Sequence, residues 1–401
     1  MQLTTVRPAG PHAEAKLRIA AAVDDARDEI LDLSHRIHAN PEPAFEEQKA
    51  AAWVAEAISR RGYVVQHPAG RLETAVRGIL TGSRQSGGGR VAVLAEYDAL
   101  PGIGHACGHN TMAASGVGAA IGLAAVADEL AGQVVFLGTP AEERGSGKQC
   151  MLDDGLFDGI DAALLFHPSD LTQIEARLLA SEDVDVVFLG RASHAASEPW
   201  EGRNALDALV MLFNAVGLWR QQLRPDARVH GIILEGGSAA NIIPDRGVAR
   251  FMVRAADQDY FETLLPRFRE LCEAAALATG CTVELEFSGR SDTMRHNRVL
   301  GARYLANLEP YGIREDPPTP NMGSSDMGNV SQALPTIHPS LAVCDPGVPG
   351  HSTEFREAAR SPRADEVTLI AATVAAQVGY EVLADPDLVR RAWREFQEAD
   401  E

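Results

Sequence analysis

The stretch EYDALPGIGHACGHN, residues 96–110, decides how the chain is read. It sets His105, Cys107 and His109 close together behind the apolar run RVAVLA (90–95), which reads as a strand. After it comes a long small-residue segment, about 111–130, that reads as a buried helix. Open α/β sheets bind ligands outside the carboxyl ends of their strands, so this loop is a candidate site. Two more apolar runs end in the same way. QVVFLGTP (133–140) runs into AEERGSGKQ, and DAALLFHP (161–168) ends at His167. Those strand ends direct Glu96, Asp98, Cys107, His109, Glu142, Glu143 and His167 toward one crevice. A further candidate, His351, lies in the Gly/Pro-rich loop PGVPGHSTEF.

The rest of the chain fits around this unit. Residues 13–38 have helical periodicity, and Pro41 and Pro43 end it. A helix through AAAWVAEAISRRG stops at Gly62, and strand-like runs YVVQ and TAVRGIL follow. Strands alternating with helices predict an α/β domain with a mostly parallel sheet covered on both faces. From residue 181 the order becomes β-α-β-β-α-β, the split βαβ pattern of a ferredoxin-like α+β domain. Strand and helix signals resume after about 295. The expected organisation is a discontinuous domain, 1–180 and 296–401, interrupted by an inserted domain, 181–295.

Composition narrows the function classes. The 401 residues include 36 Lys and Arg against 56 Asp and Glu, a formal net charge of −20. So acidic a surface repels nucleic acid and anionic membranes, and neither is an expected partner. The five cysteines are odd in number and form no CxxC pair, which fits a reducing compartment. The N-terminal segment has no apolar signal core, and the stretch around 116–126 is too short to cross a bilayer. The expected location is the cytoplasm.

Singly, a loop histidine, a cysteine or a Glu-Glu pair is ordinary. Together at strand ends, His, Cys and carboxylate form the donor set of zinc, manganese and similar divalent ions. Two other readings fail. GSGK at 145–148 has Glu142 and Gln149 where a phosphate loop needs Gly and Ser or Thr, and no GxSxG elbow is present.

With these motifs assembled, the chain resembles the dinuclear-metal aminohydrolases: aminoacylases, carboxypeptidase G, hippurate hydrolase and indole-acetyl-amino-acid hydrolases. It is most similar to the branch with aminobenzoyl-glutamate hydrolase and the β-alanyl-lysine dipeptidase. HANPEPAFEE, TPAEERGSGK, LLFHP, SHAASEPWEGRNALDA, GGSAANIIPD, GSSDMGNVS and GHSTEF carry the resemblance, in that order. It implies two divalent ions, manganese or zinc first, then cobalt or nickel, held by Cys107, His109, Glu143, His167 and His351. Glu142 would be the general acid/base, acting on a metal-activated water, and Asp98 would orient a ligand. The inserted domain would be a lid and dimerisation domain, making the protein a homodimer. Its His194 would stabilise the oxyanion, while Arg254 and Asn241 would bind substrate. Asn110 stands where many relatives carry Asp, and Ser352 where Thr is common. The implied reaction is hydrolysis of an N-acyl amino acid or small dipeptide. An arylamide hydrolase or deaminase, or a non-catalytic metal- or ligand-binding protein of the same fold, are the alternatives.

Overall fold

The structure is a computed structural model, and it describes residues 2–6, 12–84, 88–319 and 323–398. In chain order, the first part supplies helices α1 (Ala13–Asp25), α2 (Arg27–Ala39) and α3 (Gln48–Ser59). Strands β1 (Val64–Gln66), β2 (Val76–Thr81) and β3 (Arg90–Glu96) follow. Then come α4 (His109–Ala124), β4 (Gln133–Thr139), α5 (Gly147–Asp153), β5 (Ala162–Leu164) and β6 (His167–Ser169). The middle part is β7 (Ala180–Leu189), α6 (Ala205–Trp219), β8 (Arg228–Glu235), β9 (Arg246–Ala255), α7 (Gln258–Thr279) and β10 (Thr282–Ser291). The last part is α8 (Arg298–Leu308), α9 (Met327–Ala333), β11 (Thr336–Ile337), β12 (Ser340–Ala342), α10 (Thr353–Ala358), α11 (Pro362–Ala384) and α12 (Pro386–Glu398).

The described residues divide into two compact units. One lies within Met1–Ala176, Arg295–Met322 and Asn329–Glu401, the other within Arg177–Met294 and Gly323–Gly328. The inserted unit therefore starts a few residues before the expected 181 and also takes a short piece of the returning chain. Main-chain pairing explains that piece: Leu179 N–H donates to the Gly323 carbonyl at 2.8 Å.

The main sheet of the first unit has the order β1-β2-β4-β3-β5-β11. β4, β3, β5 and β11 run parallel, whereas β2 is antiparallel to β4 and β1 antiparallel to β2. The sheet is thus mixed, with an antiparallel pair at one side of a parallel centre. β1 and β2 are consecutive, and an antiparallel pair needs no crossover helix. β3 is buried at every position after Arg90, as a strand covered on both faces must be. The DAALLFHP run splits in two: β5 joins the main sheet, and β6 pairs in parallel with β12.

The small-residue segment forms α4, packed into the core. At Gly116 an added Cβ would lie 2.4 Å from the Leu94 carbonyl oxygen, so only glycine lets helix and strand approach this closely. α11 covers another side of α4. It is apolar and long enough to cross a membrane, longer than the 116–126 stretch, but 94% of its most apolar window is buried inside the protein. It is a core helix here. The expected single helix over 13–38 is two helices, broken at Ala26.

The inserted unit is a four-stranded antiparallel sheet of order β10-β7-β9-β8, or 4-1-3-2 in order of appearance. β9 alternates buried and half-buried residues. Ala249, Phe251 and Val253 meet Leu209, Leu212, Phe261 and Phe268 of α6 and α7 in its core. On the other face, Arg250 makes a bidentate pair with Asp185, at 2.6 and 2.7 Å.

Candidate metal centre

The five expected ligands all lie in the first unit. They form two overlapping groups: Cys107 with His109 and His167, and Cys107 with Glu143 and His351. Within each group the donor atoms lie within 4.8 Å of one another. Cys107 belongs to both, the position a ligand shared between two ions must hold.

Local chain geometry produces this. Gly108 has φ +83° and ends the loop ahead of α4, whose first residue is His109. A Cβ at Gly108 would lie 2.6 Å from Pro168, so the loop sits directly against the strand that carries His167. His351 also has a positive φ, +59°, and its N–H donates to the Ala106 carbonyl at 3.0 Å. That bond ties the last ligand to the loop of the first.

Hydrogen bonds fix the imidazole tautomers. His109 Nδ1 lies 3.0 Å from both Asp98 Oδ1 and the Asp98 carbonyl. Those oxygens can only accept, so Nδ1 carries the proton and Nε2 keeps its lone pair for an ion. His167 repeats the pattern: Nδ1 donates to the Pro168 carbonyl at 2.6 Å, and Nε2 faces Cys107 Sγ at 3.5 Å. The second oxygen of Asp98 accepts from Glu143 N–H at 2.9 Å. One buried carboxylate therefore orients two candidate ligands, one opening α4 and one in the loop after β4.

The donor set fits metal. His109 Nε2 and Glu143 Oε1 are buried without a hydrogen-bond partner. Each such atom costs about 1–3 kcal/mol, which a bound cation removes. Burial pushes the Cys107 thiol well up, with Glu143 adding to it. Burial also raises the Glu143 carboxyl, and it lowers His167 to about 4. Burial lowers His109 too, but Cys107 and Asp98 outweigh it and the net shift is upward.

Glu142 Oε2 lies 3.8 Å from His109 Nε2, and Glu143 Oε2 3.6 Å from His351 Nε2. Glu143 Oε1 also lies 3.9 Å from His109 Nε2, so both glutamates reach His109 and Glu143 spans from it to His351. Glu96 Oε2 lies 3.3 Å from His109 Nε2, but its other oxygen pairs with Lys148 Nζ at 2.5 Å. Burial raises the Glu96 carboxyl, yet Lys148 and His109 bring it to about 2.

Sequence reasoning missed Lys148, dismissed within GSGK, and His338, whose ring meets His167 edge-on at 5.5 Å. The signal for His338 was available: FHPS at 166–169 returns as IHPS at 337–340, and the two stretches lie side by side, His167 N–H donating to the Pro339 carbonyl at 2.9 Å. His105 is no ligand. It is buried beside His38, ring centroids 6.1 Å apart. Asn110 donates to Ser34 Oγ and the Ala359 carbonyl, both at 2.9 Å. An ionised Asp could accept from the Ser34 hydroxyl but could not donate to the Ala359 carbonyl.

His194, Asn241 and Arg254 lie in the inserted unit. His194 is exposed and sits beside Asn241, whose carbonyl accepts from Ala195 N–H at 3.0 Å. Arg254 is near the far end of β9, roughly 26 Å along the strand from Arg246. Asn241, just before β9, is therefore the neighbour of His194 rather than of Arg254.

The model of peptidase family M20/M25/M40 matches residues 92–374. The chain belongs to this family. An M20 assignment agrees with the relatives. The Xaa-Arg dipeptidase of Mus musculus is 37% identical over 414 residues, spanning 98% of this chain and 96% of the mouse protein. A p-aminobenzoyl-glutamate hydrolase of Escherichia coli is 30% identical, spanning 79% of this chain and 68% of that protein. A solved dinuclear metal-binding M20 peptidase of Bacillus subtilis has the same fold: TM-score 0.67 at 19% identity, with 90% of this chain and 99% of that one covered. This M20 chain is a metal-dependent peptidase or amidohydrolase.

Proposed function

We propose that the enzyme hydrolyses the amide bond of a small dipeptide or N-acyl amino acid, with Glu142 as general acid/base. The observation that carries this reading is that both adjacent glutamates reach His109, at 3.8 and 3.9 Å, while Glu143 also groups with Cys107 and His351. Two divalent ions, manganese or zinc before cobalt or nickel, would polarise the scissile carbonyl and acidify a water. Glu142 takes the proton of the attacking water and returns it to the leaving amine. Asp98 keeps His109 in its ligating tautomer.

His194 Nδ1 accepts from the N–H groups of Ala196 and Ser197, at 3.2 and 3.3 Å, so its proton sits on Nε2. That supports His194 as a donor to the developing oxyanion. Arg254, whose Nε is buried without a partner, suits a substrate carboxylate, and Asn241 contributes beside His194. The edge strand β8 exposes Ile232, Ile233 and Leu234. An apolar edge of this kind supports pairing with a second copy, a homodimer with the inserted unit as its lid. Five free cysteines support a cytoplasmic location.

Dipeptides ending in a basic residue are the first substrates to test. The mouse relative is named for Xaa-Arg, and a net charge of −20 favours cationic ligands. The experiment is a screen of the metal-reconstituted enzyme against dipeptides and N-acyl amino acids, with detection of the released amine. Turnover confined to arylamides would overturn the substrate class.

A further inference from the structure

The segment PEPAFEE, residues 41–47, contributes none of the ligands, yet it runs beside the loop that follows β4. Its Glu47 is completely buried. Glu47 Oε1 accepts from Ala141 N–H and from Phe45 N–H, both at 2.9 Å, and Oε2 accepts from the Thr74 hydroxyl at 2.8 Å. Ala141 and Phe45 are both non-glycine residues with positive φ, +59° and +66°. L-residues rarely hold that conformation unless their surroundings fix it. One carboxylate oxygen holds both. The Phe45 ring adds a second brace, reaching within 2.4 Å of where a Cβ on Gly145 would stand.

Two residues beyond Ala141, the N–H of Glu143 is held by Asp98. The amides on either side of Glu142 are therefore each bound by a buried carboxylate, 141 by Glu47 and 143 by Asp98. Glu142 rides between two fixed points, and its direction follows from the Ala141 backbone. Burial pushes the Glu47 carboxyl up to about 7 while the Thr74 hydroxyl pulls it down. Oε1 remains an acceptor in either ionisation state.

We propose that Glu47 is a positioning residue for the proton-transferring Glu142, acting through the Ala141 N–H. The inference rests on the general acid/base role of Glu142. Glu47 touches no candidate ligand side chain, so its loss should leave the ions in place and spoil only the aim of Glu142.

The test compares Glu47→Ala, Glu47→Gln and Glu47→Asp with Glu142→Gln in the metal-loaded enzyme, reading kcat, KM, ions per chain and thermal midpoint. Glu47→Ala should lower kcat roughly 10–100-fold, with KM and metal content within about twofold of wild type. Glu47→Gln should recover most of kcat, because its amide oxygen can accept both N–H bonds while its NH₂ meets Thr74. Glu47→Asp fills the same pocket but falls short of Ala141. It should lose kcat with its fold intact, and it decides the matter if the alanine variant does not fold. In a Glu142→Gln background, Glu47→Ala should cost little more. Wild-type kcat in Glu47→Ala or Glu47→Asp, loss of metal, or fully additive losses would each overturn the positioning role. A Glu142→Gln enzyme with wild-type kcat would instead remove the acid/base reading on which it rests.

Discussion

Replacing Asp98 by Asn keeps the size of the side chain but removes its charge and turns one of its two acceptors into a donor. Asp98 uses two accepting oxygens, one for His109 Nδ1–H and one for Glu143 N–H. Asparagine has one oxygen and one NH₂, so it can serve only one of them. If its oxygen stays on His109, the NH₂ confronts Glu143 N–H, donor to donor, and the ligand loop must shift. If its oxygen turns to Glu143, the NH₂ faces His109 Nδ1–H, donor to donor, and only the Asp98 main-chain carbonyl still favours the ligating tautomer. Either arrangement leaves a mismatched buried donor, worth about 1–3 kcal/mol. That matches the usual 10–100-fold cost in metal affinity of losing a partner to a ligating histidine, about 1.4–2.7 kcal/mol. Competition against a chromogenic chelator would measure it. The expected result is a 10–100-fold weaker ion affinity, with activity partly restored by excess metal. Unchanged affinity for both ions would refute the role assigned to Asp98.

Glu142→Gln should keep its metal and fold and lose roughly 10²–10⁴-fold in kcat, whereas Glu143→Gln should lose metal and regain activity when metal is added. The reverse pattern, read by elemental analysis and kinetics, would exchange the two roles. Arg254→Ala should lower kcat/KM for substrates with a free carboxylate by roughly 10–150-fold, the worth of a charge-assisted bond of about 1.5–3 kcal/mol, and spare the matching carboxamides. Equal losses on both would remove the clamp. Ile233→Asp on the β8 edge should give a single-chain mass in light scattering where the wild type gives two, and a monomeric, fully active wild type would refute the dimer. The buried Lys16–Glu381 pair, 2.5 Å apart and joined by Arg303, supplies a pH test away from the site. Burial raises the Glu381 carboxyl, but Arg303 and Lys16 outweigh it and hold it below its ordinary value. A depressed pKa stabilises the fold above the unfolded value of about 4.3, and that stability is lost as pH falls below it. Lys16→Met should cost about 3 kcal/mol at neutral pH, since Arg303 remains, and flatten the acid limb of stability measured by urea unfolding; an unchanged acid limb would show that the pair contributes nothing.

The cluster of candidate ligands was legible because metal-donor residue types are rare and these stand where strands end. Cys107 and His109 need only their own loop to be recognised, and Glu143 and His167 follow the same rule. What escaped notice depends on contacts between distant segments. Lys148 reads as a surface lysine until Glu96 is seen opposite it, and Glu47 reads as a helix-start acid until Ala141 is placed above it. The antiparallel placing of β2 has the same origin. Its apolar pattern suits either direction, and only its pairing with β4 fixes one. In the inserted unit, the order of strand and helix signals carried the β-α-β-β-α-β pattern. The return of residues 323–328 to that unit rests on pairing with Leu178 and Leu179, which leaves no mark on composition.

The burial of α4 against α11 sets a schedule for synthesis. At Gly118 and Gly122 an added Cβ would lie 2.8 and 3.0 Å from Ala372 and Ala376, so the apolar surface of α4 is completed by a segment about 240 residues downstream. At ribosomal speeds of about 5–20 residues per second, that surface waits roughly 12–48 s for its cover. Four of the five candidate ligands have been made by residue 167, yet His351 and α11 are still to come. The growing chain thus carries an unfinished cation trap and an uncovered helix at the same time. Chains stalled before residue 362 should be cut by protease within 109–124 and should bind chaperones, and stalled chains resistant there would show that α4 finds its cover earlier.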